Sequence, residues 1–157
     1  MLDAANIGSN IDPIDRKILQ ELALDARLPF AELGRRVGLS PSAAAERVRQ
    51  LESEGFIRGY RAEINFEALG FPITAFVRLT CDGTRYRPFL KFVQTLDAVQ
   101  ECYHLTGGDA FLLKVMLSSV AQLEELIERL LPYGNPTTSM VLSTPLKRNQ
   151  SAHLLHS

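Results

Sequence analysis

The run Gly38-Leu39-Ser40-Pro41 constrains this chain more than any other, because it stops one helix, turns, and starts the next with almost no residues between. Gly38 is a residue that can take the left-handed backbone conformation a helix end commonly needs. Ser40 brings a hydroxyl able to accept from a free backbone N–H, and Pro41 suits the first helical position, where no N–H is required. Phe30, Leu33 and Val37 fall on one side of the first helix. Beyond Pro41, at about 100° per residue, Ala44, Val48 and Leu51 share a narrow arc that faces a core. Ser42, Glu46, Arg49 and Ser53 point the other way, with Ala45 and Gln50 flanking them. Arg47 lies only about 60° from the buried direction.

Gly55 ends this helix, and Ile57 to Ile64 reads as an extended, hairpin-like segment carrying Arg58 and Arg61. Upstream, Asp12-Pro13-Ile14-Asp15 marks another helix start, and Ile14, Ile18, Leu19 and Leu22 form one apolar stripe. Three helices and a wing make a winged helix-turn-helix, a layout that reads DNA. Small residues at the start of the second helix of the pair (Ser42, Ala43, Ala45) allow close approach to base edges, and Ala or Ser can meet a thymine methyl. Arg49 is the groove-reaching side chain. Arg47 grips either a phosphate or a neighbouring carboxylate, and Arg58 and Arg61 reach the backbone as a wing does. The DNA-contacting set is therefore Ser40, Pro41, Ser42, Ala43, Ala45, Glu46, Arg47, Arg49, Gln50 and Arg58. Against it stands a plain solvated face, since Glu46, Glu52 and Glu54 repel phosphate. The tight turn and the small-residue helix start favour the DNA reading.

Composition limits what kind of DNA binder this is. A formal charge of -1 and a pI near 6.3 exclude coating of nucleic acid by bulk charge, so binding must come from a local basic surface and paired copies. At 157 residues and 46% hydrophobic content, one or two real cores can form. The start, MLDAANIGSNI, has neither a basic n-region nor a long apolar run, which reads as a cytoplasmic chain with no membrane span. Cys81 and Cys102 lack CxxC spacing and a nearby His pair; they read as reduced packing residues, with no metal implied.

Phe66 to Pro72 reads as a connector, broken by Gly70 and Pro72. The expected divisions are a tail at 1–11, a DNA-binding domain at 12–65, a second domain at 66–145 and a tail at 146–157. In the second domain, strands are predicted at Ile73 to Thr80, Val99 to Leu105, Phe111 to Leu117 and Thr137 to Ser143. Helices are predicted at Tyr86 to Leu96 and after a capping box at Ser119 and Gln122. The order βαββαβ is the ferredoxin-like split arrangement, making the whole chain α+β. Its helices cover one sheet face. Phe76, Leu112 and Met116 leave the other face apolar, so a symmetric second copy is expected to cover it.

In the loop Leu105-Thr106-Gly107-Gly108-Asp109-Ala110, two glycines let backbone N–H groups converge on an anion while Asp109 meets an ammonium. Thr137, Thr138 and Ser139 add hydroxyls. Such a set suits a zwitterion such as an amino acid. The same residues also make an ordinary hairpin turn, the commoner use of this composition. His104 reads as a packing residue. No Ser-His-Asp, metal-spaced or Walker-type constellation is present.

Asp12-Pro13-Ile14-Asp15 with Ile18-Leu19, then GLSPSA from Gly38, RVRQLE from Arg47, EGFIRGY from Glu54, Leu69-Gly70, the loop Thr106 to Asp109 and Val141-Leu142-Ser143 together resemble the Lrp/AsnC family of feast-or-famine transcriptional regulators. The resemblance runs from Asp12 to about Pro145. It implies a bacterial or archaeal regulator of double-stranded DNA whose second domain dimerises, assembles dimers into octamers, and takes an amino-acid effector between dimers at the loop matching Thr106, Gly107, Gly108 and Asp109, helped by the last strand. No catalytic residue, metal or cofactor is implied. Glu46 and Gln50 stand at helix positions often basic in relatives, and Ala110 stands where an acidic residue is common, with Asp109 one residue early. The alternative is a tetrapyrrole decarboxylase of the siroheme type, similar in architecture but with a degenerate helix-turn-helix and histidines serving the substrate, a part His104 would play. The well-formed helix-turn-helix favours the regulator.

Overall fold

The computed structural model describes residues 11–108 and 110–147, which divide into two compact units. The first contains the described residues up to Glu63 together with Leu146 and Lys147; the second runs from Ile64 to Pro145. Lys147 joins the first unit by donating from Nζ to Glu63 Oε1 at 2.5 Å.

The first unit holds α1 (Pro13–Leu24), α2 (Phe30–Val37) and α3 (Pro41–Ser53). Asp12 caps α1 by accepting from the Asp15 N–H at 2.7 Å, and Asp15 accepts in return from the Asp12 N–H at 3.4 Å. Two otherwise orphaned helix-end donors are thereby satisfied. Gly38 ends α2 at φ 78°, and the Ser40 hydroxyl accepts from the Ala43 N–H at 3.2 Å to open α3. Ile18, Leu33, Val37, Ala44, Val48 and Leu51 close the core, with Ile14, Leu19 and Leu22 packed at its edge. Phe30, expected on the inner side of α2, is 45% exposed, because it occupies the first turn where the helix has not yet reached the core.

The second unit follows the order β1 (Ile73–Thr80), α4 (Tyr86–Val93), β2 (Val99–His104), β3 (Phe111–Leu117), α5 (Val120–Leu130) and β4 (Asn135–Met140). The sheet order is β2-β3-β1-β4 with every pair antiparallel, as the split βαββαβ arrangement requires. Alternation along the strands sends Ala75, Val77, Leu79, Phe111, Leu113 and Val115 toward Phe89, Val93, Leu123, Leu126 and Leu130 of the helices. Burying each of these side chains larger than alanine contributes about 1.5–3 kcal/mol. On the other face Phe76, Leu112 and Met116 are half-buried, but the face is not purely apolar. Lys114 donates to Glu101 across β3 and β2 at 2.9 Å, and Arg78 stands exposed beside Leu112.

Several elements differ from the pattern, among them β2, which ends at His104, and β4, which ends at Met140. Helix α4 stops at Val93 because Thr95 turns back, its N–H and hydroxyl both donating to Phe92 O at 2.9 and 2.7 Å. Strand β4 begins at Asn135 and includes Pro136, which an edge strand tolerates because its missing N–H can face solvent. The segment 57–65 contains no strand; the hairpin-like wing is not formed, for no segment among the described residues pairs with it.

Candidate nucleic-acid interface and effector loop

The face that α3 presents is set first by how closely α2 and α3 approach. Gly34 is buried inside α2, where an added Cβ would lie 2.6 Å from the Leu39 carbonyl oxygen and 3.2 Å from Ser40 backbone atoms. The Leu39 N–H donates to Gly34 O at 2.8 Å across the same spot. Sequence reasoning picked Gly38 for its backbone angle and missed Gly34, whose role is close approach and depends on contacts made only in three dimensions.

Of the expected DNA-contacting residues, Ser40, Pro41, Ser42, Glu46, Arg49 and Gln50 share the accessible side of α3 and its start, and Ala43 is half-buried. Ala45 is different. It is only 7% exposed, so it does not flank the outer face as expected. Ala45 sits about 60° round from Val48, and the buried arc of α3 is wide enough to include it.

The two arginines of α3 have opposite fates. Arg47 Nη1 donates to Asp15 Oδ1 at 2.9 Å and also to Asp12 Oδ2, bridging the capping box of α1 to α3. Arg47 holds the neighbouring carboxylates of Asp12 and Asp15. The Asp15 N–H, then the Arg47 guanidinium, keep the Asp12 carboxyl below its ordinary range. Arg49, by contrast, meets only Glu46 on its own helix among the described residues, at 2.6 Å, with both side chains largely exposed. An exposed pair of this kind contributes at most about 1 kcal/mol and is readily exchanged for another anion. Gln50 likewise donates to Glu54 at 2.8 Å.

A second set of charges braces α2. Arg35 and then Arg36 hold the Glu32 carboxyl down to about 2, and Arg36 extends to Glu21 of α1 at 2.7 Å. The Glu32 spacing to Arg35 and Arg36 is legible along one helix; the reach to Glu21 is not. After α3, Tyr60 donates to Glu52 at 2.8 Å, and burial together with that carboxylate pushes its hydroxyl up to about 12. Arg58 and Arg61 lie exposed on the same irregular stretch.

In the second unit, Thr106, Gly107 and Gly108 form an exposed turn; Asp109 lies outside the described residues. The hairpin is closed by the Leu105 N–H donating to Ala110 O at 3.0 Å, and it is tied to β1 by the Ala110 N–H donating to Leu79 O at 3.2 Å. Gly107 takes φ 102°, whereas Gly108 has no positive φ, so the first glycine of the pair carries the backbone requirement. Thr137 pairs with Arg78 and Ser139 with Phe76, on the open face, while Thr138 pairs with the buried Val77 and belongs to the helix side. The turn and Thr137 lie at the same end of the sheet, but β1 and β3 separate them. Two strand spacings amount to roughly 10 Å, more than one amino acid's polar ends can bridge within a single chain. His104 packs in a ring cluster with Tyr86 and Phe111 at centroid distances of 5.1 and 5.3 Å.

Among the described residues there is no group of His, Cys, Asp and Glu able to hold a metal, and no helix long and apolar enough to cross a membrane. Both halves match known families. Residues 11–52 match the AsnC-type helix-turn-helix domain and residues 74–151 the Lrp/AsnC ligand binding domain. The chain is 38% identical to the HTH-type transcriptional regulator LrpC of Bacillus subtilis over 133 residues, 85% of this chain and 92% of that protein. It is also 38% identical to the leucine-responsive regulatory protein of Escherichia coli over 148 residues, 90% of each. A feast or famine regulatory protein from M. tuberculosis complexed with L-methionine superposes with a TM-score of 0.82 at 36% identity, covering 90% of this chain and 98% of that one. A helix-turn-helix unit followed by a ligand-binding ferredoxin-like unit defines a DNA-binding transcriptional regulator rather than an enzyme. The chain belongs to the Lrp/AsnC family.

Proposed function

We propose that the chain binds double-stranded DNA through the outer side of α3 and that an amino acid modulates this binding. One observation carries the DNA reading: α3 is clamped to α1 through Arg47, while among the described residues Arg49 is held only by an exposed, exchangeable contact with Glu46. A helix fixed in place with a releasable cation on its outer side can trade Glu46 for phosphate or a guanine edge. Ser40, Ser42, Ala43, Glu46 and Gln50 line the same side, Arg58 adds a backbone contact, and Arg47 acts by positioning.

The effector reading rests on the turn at Thr106 to Gly108 and on amino-acid complexes in relatives. Because two strands separate that turn from Thr137 and Ser139, the complete site takes the turn of one protomer, including Asp109, and the last strand of another. Pairing through Phe76, Leu112 and Met116 gives the dimer, and contacts between turns and last strands assemble dimers further, to the octamer. The compartment that fits a transcriptional regulator of this kind is the cytoplasm.

The test measures operator binding by fluorescence anisotropy with and without L-leucine and L-methionine, for the wild type and Asp109→Asn. An amino acid should change the wild-type affinity, and Asp109→Asn should abolish the change while leaving ligand-free binding intact. Binding indifferent to every amino acid, or an effect that ignores Asp109, would remove the effector reading.

A further inference from the structure

A cavity of about 410 Å³ lies within the sheet unit, at the end of the sheet opposite the Thr106 to Gly108 turn. Its size is in the range that holds small molecules, about 300–1,000 Å³. The walls divide by chemistry. The buried Leu117 and Leu126 supply aliphatic surface, while Phe66 and Phe71 add two half-exposed rings from a turn closed by the Phe71 N–H donating to Phe66 O at 2.9 Å.

Charge of both signs borders the same space. Arg129, from α5, stacks its guanidinium over the Phe92 ring at 5.5 Å, a contact that consumes none of its N–H donors, and it has no carboxylate partner among the described residues. Asp97, from the α4–β2 connection, and Glu125, one turn before Arg129, likewise have no cationic partner there. An uncommitted guanidinium is suited to bind a carboxylate through two parallel N–H bonds. Uncommitted carboxylates on the same rim suit an ammonium. Apolar walls between them suit an aliphatic or aromatic side chain, which a purely anionic or purely cationic ligand would leave with one rim charge opposed.

We infer that this cavity is a second amino-acid site, separate from the hairpin turn, in which Arg129 takes the carboxylate, Asp97 or Glu125 the ammonium, and Phe66, Phe71 and Leu126 an apolar side chain. It rests on the reading that the chain senses amino acids, but uses different residues. The turn carrying Phe66 and Phe71 begins just after Ile64, where the sheet unit starts, so a ligand packed on the two rings restrains the segment that leads out of the DNA-binding unit.

Met116 offers a local reporter, since the chain has only three methionines. Full-length protein with isotope-labelled methionine methyl groups is titrated with L-leucine, L-phenylalanine and L-leucinamide, the Met116 resonance being assigned through Met116→Leu. L-leucine or L-phenylalanine should shift the Met116 signal saturably, and leucinamide, lacking the carboxylate, should bind about tenfold more weakly, the loss expected for one charged hydrogen-bonded contact. Arg129→Gln should weaken the amino acids by a similar factor with unchanged circular dichroism, and Asp109→Asn should leave the shift in place. No Met116 response to either amino acid, or a response indifferent to Arg129→Gln, overturns the inference. A response lost in Asp109→Asn but kept in Arg129→Gln overturns it too while supporting the hairpin-turn site; a response kept in Asp109→Asn alongside amino-acid-independent operator binding supports the cavity and removes the proposed function's effector reading instead.

Discussion

The two units solve the problem of fixing their elements by different means. In the helical unit a small core of mostly aliphatic side chains is supplemented by charges that cross between helices, Arg36 to Glu21 and Arg47 to Asp12 and Asp15. In the sheet unit the ladder sets the register, and a larger core holding Phe89 and Phe111, whose ring centroids are 4.6 Å apart, sets the layer spacing. The first arrangement holds a surface rigid while leaving it open to solvent. The second leaves one whole sheet face, with Phe76, Leu112 and Met116, available for a second copy. What the comparison teaches is a division of labour: polar clamps present a recognition face, and apolar layers build a platform suited to the proposed assembly and sensing.

If that division holds, substitutions should act on one unit at a time. The largest effect is expected at Phe111, which is fully buried and touches Phe89, Tyr86 and His104. Phe111→Ala should cost about 3–5 kcal/mol, seen in calorimetry as a lowered sheet-unit transition. A shift of equal size in the helical unit would break the comparison. Next comes Gly34→Ala, because a Cβ 2.6 Å from the Leu39 carbonyl meets backbone that cannot step aside. It should destabilise the helical unit by about 1–3 kcal/mol and weaken DNA binding together. Unchanged stability would show that the turn between α2 and α3 is looser than its geometry.

The paired glycines of the hairpin give a smaller and more pointed contrast. Gly107→Ala should cost about 1 kcal/mol, since φ 102° is strained for a residue with a Cβ, whereas Gly108→Ala should cost little. Equal losses measured by denaturant titration would contradict the assignment of the strained position to Gly107. The pH response is smallest. Asp12 lies below its ordinary carboxylate range and Glu32 at about 2 in the folded unit. Both are depressed, so their contribution is present above the unfolded carboxylate range near pH 4 and is lost as pH falls toward 2. The helical unit should therefore lose stability over that window while Glu32→Gln loses less; a profile identical in the variant would remove Glu32 from the account.

Local chemistry was legible, and contact geometry was not. The caps at Asp12, Ser40 and Ser119 follow from residue type, and each accepts the backbone N–H expected of it. The second half of the Ser119 capping box is displaced, Gln122 accepting from the Ser118 N–H at 2.9 Å. Strands β1 and β3 match the expected bounds because turn-forming residues punctuate them, Gly70 and Pro72 before β1, Gly107 and Gly108 before β3 and Ser118 after it. The start of β4 was missed because Pro136 argues against a strand unless its edge position is known. Position 57–65 has strand-like composition, yet a strand exists only if a partner does. In the candidate interface, the outward side of α3 came from helical angle alone, while the choice of Arg47 for a carboxylate depended on where α1 ends up. Asp12 and Asp15 are more than thirty residues away in the chain.

The central claim is that Arg49 meets DNA while Arg47 only positions α3, and a salt series on operator binding tests it most directly. Affinities for specific and random duplexes are measured for wild type, Arg49→Ala and Arg47→Ala, the helical unit's stability being recorded in parallel. Arg49→Ala should weaken binding and reduce the slope of log K against log salt by about 0.9, or relax specificity if the contact is to a base. Arg47→Ala should lower stability and affinity with the slope unchanged. A reduced slope for Arg47→Ala with Arg49→Ala indistinguishable from wild type would contradict the account.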